Sequence, residues 1–518
     1  MSIRGIARKR RVVCVTAALA AVLPSGWSWA QRPPEPTSIR VSAGRSIVSM
    51  RRNPAAGAWR SESGGVADTS AKWPHPRPRI AGFSPLVAIA TSDQRRSAFD
   101  ESPYEHTPEN GYAGSALVGT PGQNFVIGIA DTGAVVDLAA GDAADALGLF
   151  GPRLTENTIP IGGVGGTIDA YVSQPIGVFA AGLSAINGFG QLDTGALVGH
   201  SNVSAVASPP LDCGTGESLT AIIGTPFLSL FNTVIRVDTP REAHIGDLTV
   251  FSPDVQLQSA FAPIPEITHS IAIELGGLSP VTTANYYPDL EDLETPWIPT
   301  QLSFFPFSIP TGALFFTNVQ ASMGAPGSEI PVVIRMMVDS GAQSSIISFE
   351  MAANLNLPLE PDFLVEVCGV GGVAEAPGYY VDYVQINALG GALRFSRIPF
   401  VVIDLPSPEG GIMDGILGMN FFWNRNVVIE PSLDASSFFS VSDPIPFAFG
   451  DHNADRDVDR TDAAAVLACV TGPNAITPSP ECDHLDADLD GDIDLLDMRR
   501  FQLCFSGAGM IADANCGE

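Results

Sequence analysis

"FVIGIADTGAVVDLAA", residues 125–140, ends an apolar run on a carboxylate, Asp131, and follows it at once with Thr132, Gly133 and Ala134. "VIRMMVDSGAQSSIIS", residues 333–348, repeats the design around Asp339, with Ser340, Gly341 and Ala342 behind it. The apolar run reads as a buried strand. The glycine lets the chain turn where a Cβ would clash, and the small hydroxyl can bond nearby backbone and fix the loop. Each copy therefore presents a carboxylate on a rigid turn aimed at a cleft. A third copy of the word, "LDTGA" at 192–196, follows "GFGQ" rather than an apolar strand, so Asp193 reads as a surface turn.

Two more words repeat in the same order. "IPIGGVGGTIDAYV" (159–172) comes after the first acidic loop and "EVCGVGGVAEAPGYYV" (366–381) after the second. Their glycines, Gly162, Gly163, Gly165 and Gly166 in one copy and Gly369, Gly371 and Gly372 in the other, suit a hairpin tip able to close as a lid. "AIIGTPFLSLFNTVIRVD" (221–238) and "DGILGMNFFWNRNVVIEP" (414–431) then supply an apolar strand ending in Gly, which permits close backbone approach to the acidic loop. Three words in one order make an internal repeat over about 113–435.

Composition agrees with a turn-rich β protein. The 518 residues are 45% hydrophobic and 16% charged, with 52 Gly and 42 Pro. A net charge of −29 leaves no basic surface to meet phosphates, which argues against nucleic acid as a partner. Residues 1–30 read as a signal peptide. Arg4, Arg8, Lys9, Arg10 and Arg11 precede the short apolar "VVCVTAALAAVL", and small residues precede a cleavage point after Ala30. Export makes disulfides permissible. Residues 31–112, rich in Pro, Ser, Gly and Arg, read as a disordered linker, with a basic propeptide as the alternative. His200, His244 and His269 have no ligand spacing. The state of Cys213 and Cys368 is open.

The acidic C-terminus carries a second pattern. "DHNADRDVDRTD" (451–462) and "DADLDGDIDLLD" (486–497) are twelve-residue loops with oxygen side chains at alternating positions. These are Asp451, Asn453, Asp455, Asp457, Asp459 and Asp462, then Asp486, Asp488, Asp490, Asp492, Asp494 and Asp497. Oxygens at positions 1, 3, 5, 9 and 12 suit calcium. Gly491 holds the sharp-turn position of the second loop, whereas the first has Arg456 there.

The repeated words resemble the aspartic proteases, specifically the retropepsin-like group, with two units on one chain as in the pepsin-like enzymes. The resemblance implies a mostly β, bilobal acid-protease fold: lobe 1 over 113–245, an interlobe segment over 246–300 and lobe 2 over 301–440. It implies catalysis by Asp131 and Asp339 sharing one proton and activating water, without a catalytic cofactor. Thr132 and Ser340 are then cross-braces, with Gly133 and Gly341 beside them. Because Ala134 and Ala342 cannot donate a side-chain hydrogen bond, the shared proton is expected to persist to mildly acidic pH.

The tail, 448–518, resembles dockerin modules: small, α-helical, EF-hand-like and calcium-binding, with Asp at position 12 and apolar residues four and eight places on (Val466 and Val470, Phe501 and Phe505). Cys469 with Cys482 and Cys504 with Cys516 are plausible disulfides in such a module. A dockerin implies a cohesin-like receptor, and chelation is expected to loosen the tail without stopping catalysis.

The reading is a secreted or cell-surface bacterial aspartic endopeptidase, monomeric in its protease unit and without a transmembrane segment after cleavage, acting on peptide or protein substrates. The alternatives are an inactive binding protein of the same fold and a surface scaffold displayed through the tail.

Overall fold

The two Asp-bearing words form matching strands. The structure, a computed structural model, describes residues 47–52, 79–92, 104–105, 117–118, 124–150, 154–173, 176–203, 205–212, 218–245, 248–258, 265–276, 314–324, 330–407, 410–431, 437–473, 475, 479–488 and 490–516. The expected signal peptide lies outside them, as does Cys213.

In the first half Val126–Ala130 runs parallel to Ala221–Ile223, with Ile222 opposite Ile129. In the second half Val332–Val338 runs parallel to Gly415–Leu417, with Ile416 opposite Met337. Each Asp strand is followed by a short strand and a helix: Leu138–Ala140 and Gly141–Ala146, then Ile346–Ile347 and Phe349–Asn354. These pairings are parallel and non-local, and the last three residues of each Asp strand are buried. Gly224 and Gly418, next after the apolar strands, stand where a Cβ would overlap the carbonyls of Ala134 and Val136, or of Ala342 and Ser344. That is the close approach expected of the "IIG" and "ILG" words.

Among the described residues, most strands of the first half form a ten-stranded sheet. One of its inner strands, Leu86–Ser92, comes from the stretch expected to be a linker. It pairs antiparallel with Val126–Ala130 and Ile176–Gly182, and every residue in it is buried. Both of its faces are covered, so "LVAIATS" shows no alternation by which to notice it. Ile47–Arg52, also from that stretch, pairs with Phe363–Gly369.

The segment after residue 245 is likewise structured where it is described. Leu248–Gln258 pairs with Asn232–Ile245, which pairs with Val427–Glu430 of the second half. Val427–Glu430 pairs with Ser437–Val441, and that strand with His269–Gly276. The two halves are thus sewn together by main-chain hydrogen bonds. Buried clusters fill each half, and another joins Val135, Ile159 and Ile161 of the first to Phe363, Val365 and Ile416 of the second.

At the C-terminus, helices Arg460–Cys469 and Leu495–Cys504 each begin with a capping box, built by Asp459 with Asp462 and by Asp494 with Asp497. Disulfides Cys469–Cys482 and Cys504–Cys516 close short loops. Val466 and Phe501 are buried in the core of this unit, while Val470 and Phe505 are partly exposed. No helix among the described residues is long and apolar enough to cross a membrane.

Candidate active site

Asp131 and Asp339 leave the ends of their strands and meet. Asp131 N–H donates to the Ile223 carbonyl (2.9 Å) and Asp339 N–H to the Leu417 carbonyl (3.1 Å), so each loop is pinned to the apolar strand of its own half. The halves are then pinned to each other by the two hydroxyl residues. Thr132 N–H donates to Ser340 Oγ (3.0 Å), and Ser340 N–H donates to Thr132 Oγ1 (3.0 Å). Thr132 Oγ1 donates to the Val338 carbonyl (2.9 Å), and Ser340 Oγ to the Ala130 carbonyl (2.7 Å). Both side chains are fully buried, so all four polar groups are satisfied across the junction.

The brace brings the carboxyls into a shared hydrogen bond. The glycines show how closely the loops approach: a Cβ on Gly133 would overlap the Asp339 carboxyl, and one on Gly341 the Asp131 carboxyl. The sequence assigns these glycines only a local turning role. In the structure each makes room for the opposite acid.

Burial raises the pKa of both acids. For Asp131 the rise is large, because the Asp339 charge and the bond between the two carboxyls add to burial. Asp339 Oδ1 accepts from Gly341 N–H (2.8 Å) and Ala342 N–H (2.9 Å), which favour its charged form. Asp131 Oδ1 accepts from Gly133 N–H at 2.7 Å. Two acids held this close do not both ionise easily, so the pair keeps one proton between them.

The Gly-rich words form two hairpins, Leu154–Gly163 with Gly166–Ser173 and Phe363–Gly369 with Gly372–Ile386. Gly163 faces Gly166 and Gly369 faces Gly372 at the ends of the ladders. The tips touch: Gly165 N–H donates to the Val370 carbonyl (3.1 Å), and a Cβ on Gly165 or Gly371 would overlap the opposite tip. Gly371 and Gly372 have φ of +90° and +114°, a region that favours glycine. Cys368, beside this tip, is buried and disulfide-bonded.

Asp193 is exposed and caps a one-turn 3-10 helix, accepting from Gly195 N–H (3.0 Å). It takes no part in the pair, as its polar approach suggests.

Sequence reasoning missed Asp137. It lies six residues after Asp131, where the second half has Ser345. Ser345 Oγ accepts from Gly418 N–H (2.9 Å) and donates to Asn420 Oδ1 (2.7 Å). Asp137 Oδ1 accepts the equivalent Gly224 N–H (2.8 Å), but the residue two beyond Gly224 is Pro226, and Asp137 Oδ2 is buried with no hydrogen-bond partner among the described residues. Burial pushes this carboxyl up to about 7. An acid in an apolar context, out of step with its repeat, was the available signal.

In the tail, carboxylate oxygens of Asp455, Asp457 and Asp462 gather within 4.8 Å, as do those of Asp486, Asp488 and Asp497 and of Asp492, Asp494 and Asp497. Asp451, Asp459 and Asp490 fall outside these groups. Asp459 and Asp494 cap helices, accepting from Thr461 N–H and Leu496 N–H. Buried Asp462 accepts from His452 N–H (2.7 Å) and Asp459 N–H (2.9 Å). Asp451 Oδ1 and Asp457 Oδ1 are buried with no hydrogen-bond partner among the described residues. A hard cation is the ligand such oxygens fit.

Residues 326–421 match the model of a family described as aspartyl protease. The match contains Asp339, Ser340, the second Gly-rich hairpin and Gly418. No curated protein matches the chain. Geometry and match together connect the second half, with its acidic loop, hairpin and apolar strand, to the aspartyl protease family.

Proposed function

We propose that this protein is a two-lobed aspartic endopeptidase in which Asp131 and Asp339 activate one water between them. The observation that carries the reading is the reciprocal Thr132–Ser340 brace, which holds the half-buried Asp131 carboxyl and the buried Asp339 carboxyl against each other. Two acids so placed cannot both ionise easily, so one proton is retained over a range of pH. The ionised member of the pair takes a proton from water. The protonated member donates to the carbonyl of the scissile bond. Water adds to that carbon, and the tetrahedral intermediate collapses as the amine leaves protonated. The touching hairpin tips would part to admit an extended peptide and close over it, gripping backbone and excluding water.

The expected export of the chain and its short signal belong to this proposal, as does calcium in the two C-terminal loops. The orphaned buried oxygens of Asp451 and Asp457 support the latter. Asp455, Asp457 and Asp462 would hold an ion in the first loop, and Asp486, Asp488, Asp492, Asp494 and Asp497 supply oxygens in the second. Bound calcium would neutralise the clustered charge and order the loops. A cohesin-like receptor for the exposed helix faces, with Val470 and Phe505 among them, remains the partner the dockerin resemblance implies.

The test is hydrolysis of an unfolded casein substrate in acidic buffer, with and without pepstatin. Cleavage abolished by pepstatin supports the endopeptidase. A folded protein that cleaves nothing from acid to neutral pH would favour a binding protein of the same fold.

A further inference from the structure

The acidic tail does not hang free of the protease body. Arg79 extends its guanidinium to the first acidic loop, donating to the main-chain carbonyls of Asp451 (2.8 Å) and His452 (2.6 Å), the loop's first two residues. The same guanidinium stacks on Trp423, 4.2 Å from the ring centroid. A second tie runs the other way: Arg456, the residue standing where such a loop usually has Gly, adopts φ +75° and donates to the Asp238 carbonyl (2.8 Å). Tyr380 in the second hairpin arm donates its hydroxyl to Asp483 (2.7 Å), between the two acidic loops.

The residues just after Arg79 reach the catalytic loop. Ser344 Oγ donates to the Ile80 carbonyl, Gly82 N–H donates to the Gln343 carbonyl (2.8 Å), and Gln343 Nε2 donates to Ser84 Oγ (2.9 Å). Gln343 and Ser344 lie four and five residues after Asp339 and are buried. Gly82 itself is pressed on the Met419–Asn420 backbone so closely that a Cβ would overlap it. Residues 79–84 are thus wedged between the first acidic loop and the loop that carries Asp339.

We infer that calcium in the 451–462 loop positions the Asp339 loop through Arg79, making the C-terminal unit part of the protease rather than a separable anchor. The inference rests on the calcium reading above. Without an ion, the carboxylates of Asp455, Asp457 and Asp462 repel one another, and the orphaned Asp451 and Asp457 oxygens draw in water. The loop loosens, the two carbonyls that receive Arg79 move, and residues 80–84 lose their hold on Gln343 and Ser344. Arg79 is a positioning residue; it touches neither carboxyl of the pair. This reverses the expectation that chelation leaves catalysis intact.

The experiment uses the full chain, stripped of metal and then titrated with calcium ions. Calorimetry reads binding, and hydrogen–deuterium exchange reads local opening. In the wild type, calcium should slow exchange over 451–462, 79–84 and 339–345 together. It should also raise kcat roughly fivefold or more at little change in KM, the lower end of ordinary inter-site coupling. In Arg79→Ala, calcium should still bind and protect 451–462, while 339–345 and kcat no longer respond. Arg79→Lys, which keeps one charged donor, should restore part of the response. Binding that protects 451–462 in the wild type but leaves 339–345 unchanged would overturn the inference and leave the calcium reading standing. Absence of any calcium binding would overturn both.

Discussion

Thr132 and Ser340 each donate a main-chain N–H to the other's hydroxyl, and each hydroxyl donates to a carbonyl just before the other's acidic loop. The two loops are therefore one hydrogen-bonded object, although they are built from sequence 208 residues apart. The geometry of the acids follows from it.

Thr132→Val keeps the shape and removes the hydroxyl, leaving the Ser340 N–H and the Val338 carbonyl buried without their partner. Loss of about 1–3 kcal/mol is expected for such orphaned groups, read as a lower urea midpoint. kcat should fall roughly fivefold or more, that being the equivalent of the lower end of that range. Thr132→Ser should restore most of both.

Asp137 sets a pH dependence of stability. Its carboxyl is raised to about 7 by burial, above its unfolded value of 3.8. Stability from its neutral form is fully present below the unfolded pKa and is lost as pH rises through the folded one, so the window is about pH 4–7. On the order of 4 kcal/mol is at stake across it, at 1.36 kcal/mol per unit. Asp137→Asn should flatten the decline in urea midpoint between pH 4 and 7. An unchanged decline would show that another group carries it.

The tips of the two Gly-rich hairpins meet without room for a side chain. Gly165→Ala should leave folding stability within about 1 kcal/mol, the glycine standing at a hairpin end, whereas Gly371→Ala, at φ +90°, should also lower stability through backbone strain. Peptide hydrolysis should nonetheless fall in kcat/KM, because the closed contact between tips cannot form. Wild-type kcat/KM in both variants would show that closure is not needed.

Ala134 and Ala342 leave the acids without a side-chain donor, and burial raises both pKa values. Replacing both alanines with Ser should favour the charged forms and move the acid limb of the kcat profile to lower pH. An unmoved limb in an active double variant would remove that explanation.

The acidic loops, hairpins and Gly-ended strands were legible because each is a short word whose local chemistry repeats. Gly133 and Gly341 were found for an incomplete reason: no local pattern reveals that the space they leave is filled by a carboxyl from the other half. Leu86–Ser92 was hidden because a doubly covered strand carries no period, and its Pro- and Arg-rich surroundings suggested a linker. Arg79 was unreadable for a related reason, since its partners lie more than 370 residues away. The helix caps of the C-terminal unit, by contrast, are local, and the Asp pairs that build them are visible three residues apart.

The central claim is that Asp131 and Asp339 act as one pair. Asp131→Asn and Asp339→Asn, each made alone in the full chain, should fold with an unchanged circular dichroism spectrum. Each should cut kcat on an unfolded protein substrate by roughly a thousandfold or more, within the range of general acid–base catalysis and beyond, because an amide cannot exchange the shared proton. Asp193→Asn, at the exposed copy of the same word, should retain wild-type kcat. Substantial hydrolysis by either paired variant, or loss of hydrolysis in Asp193→Asn, would contradict the account.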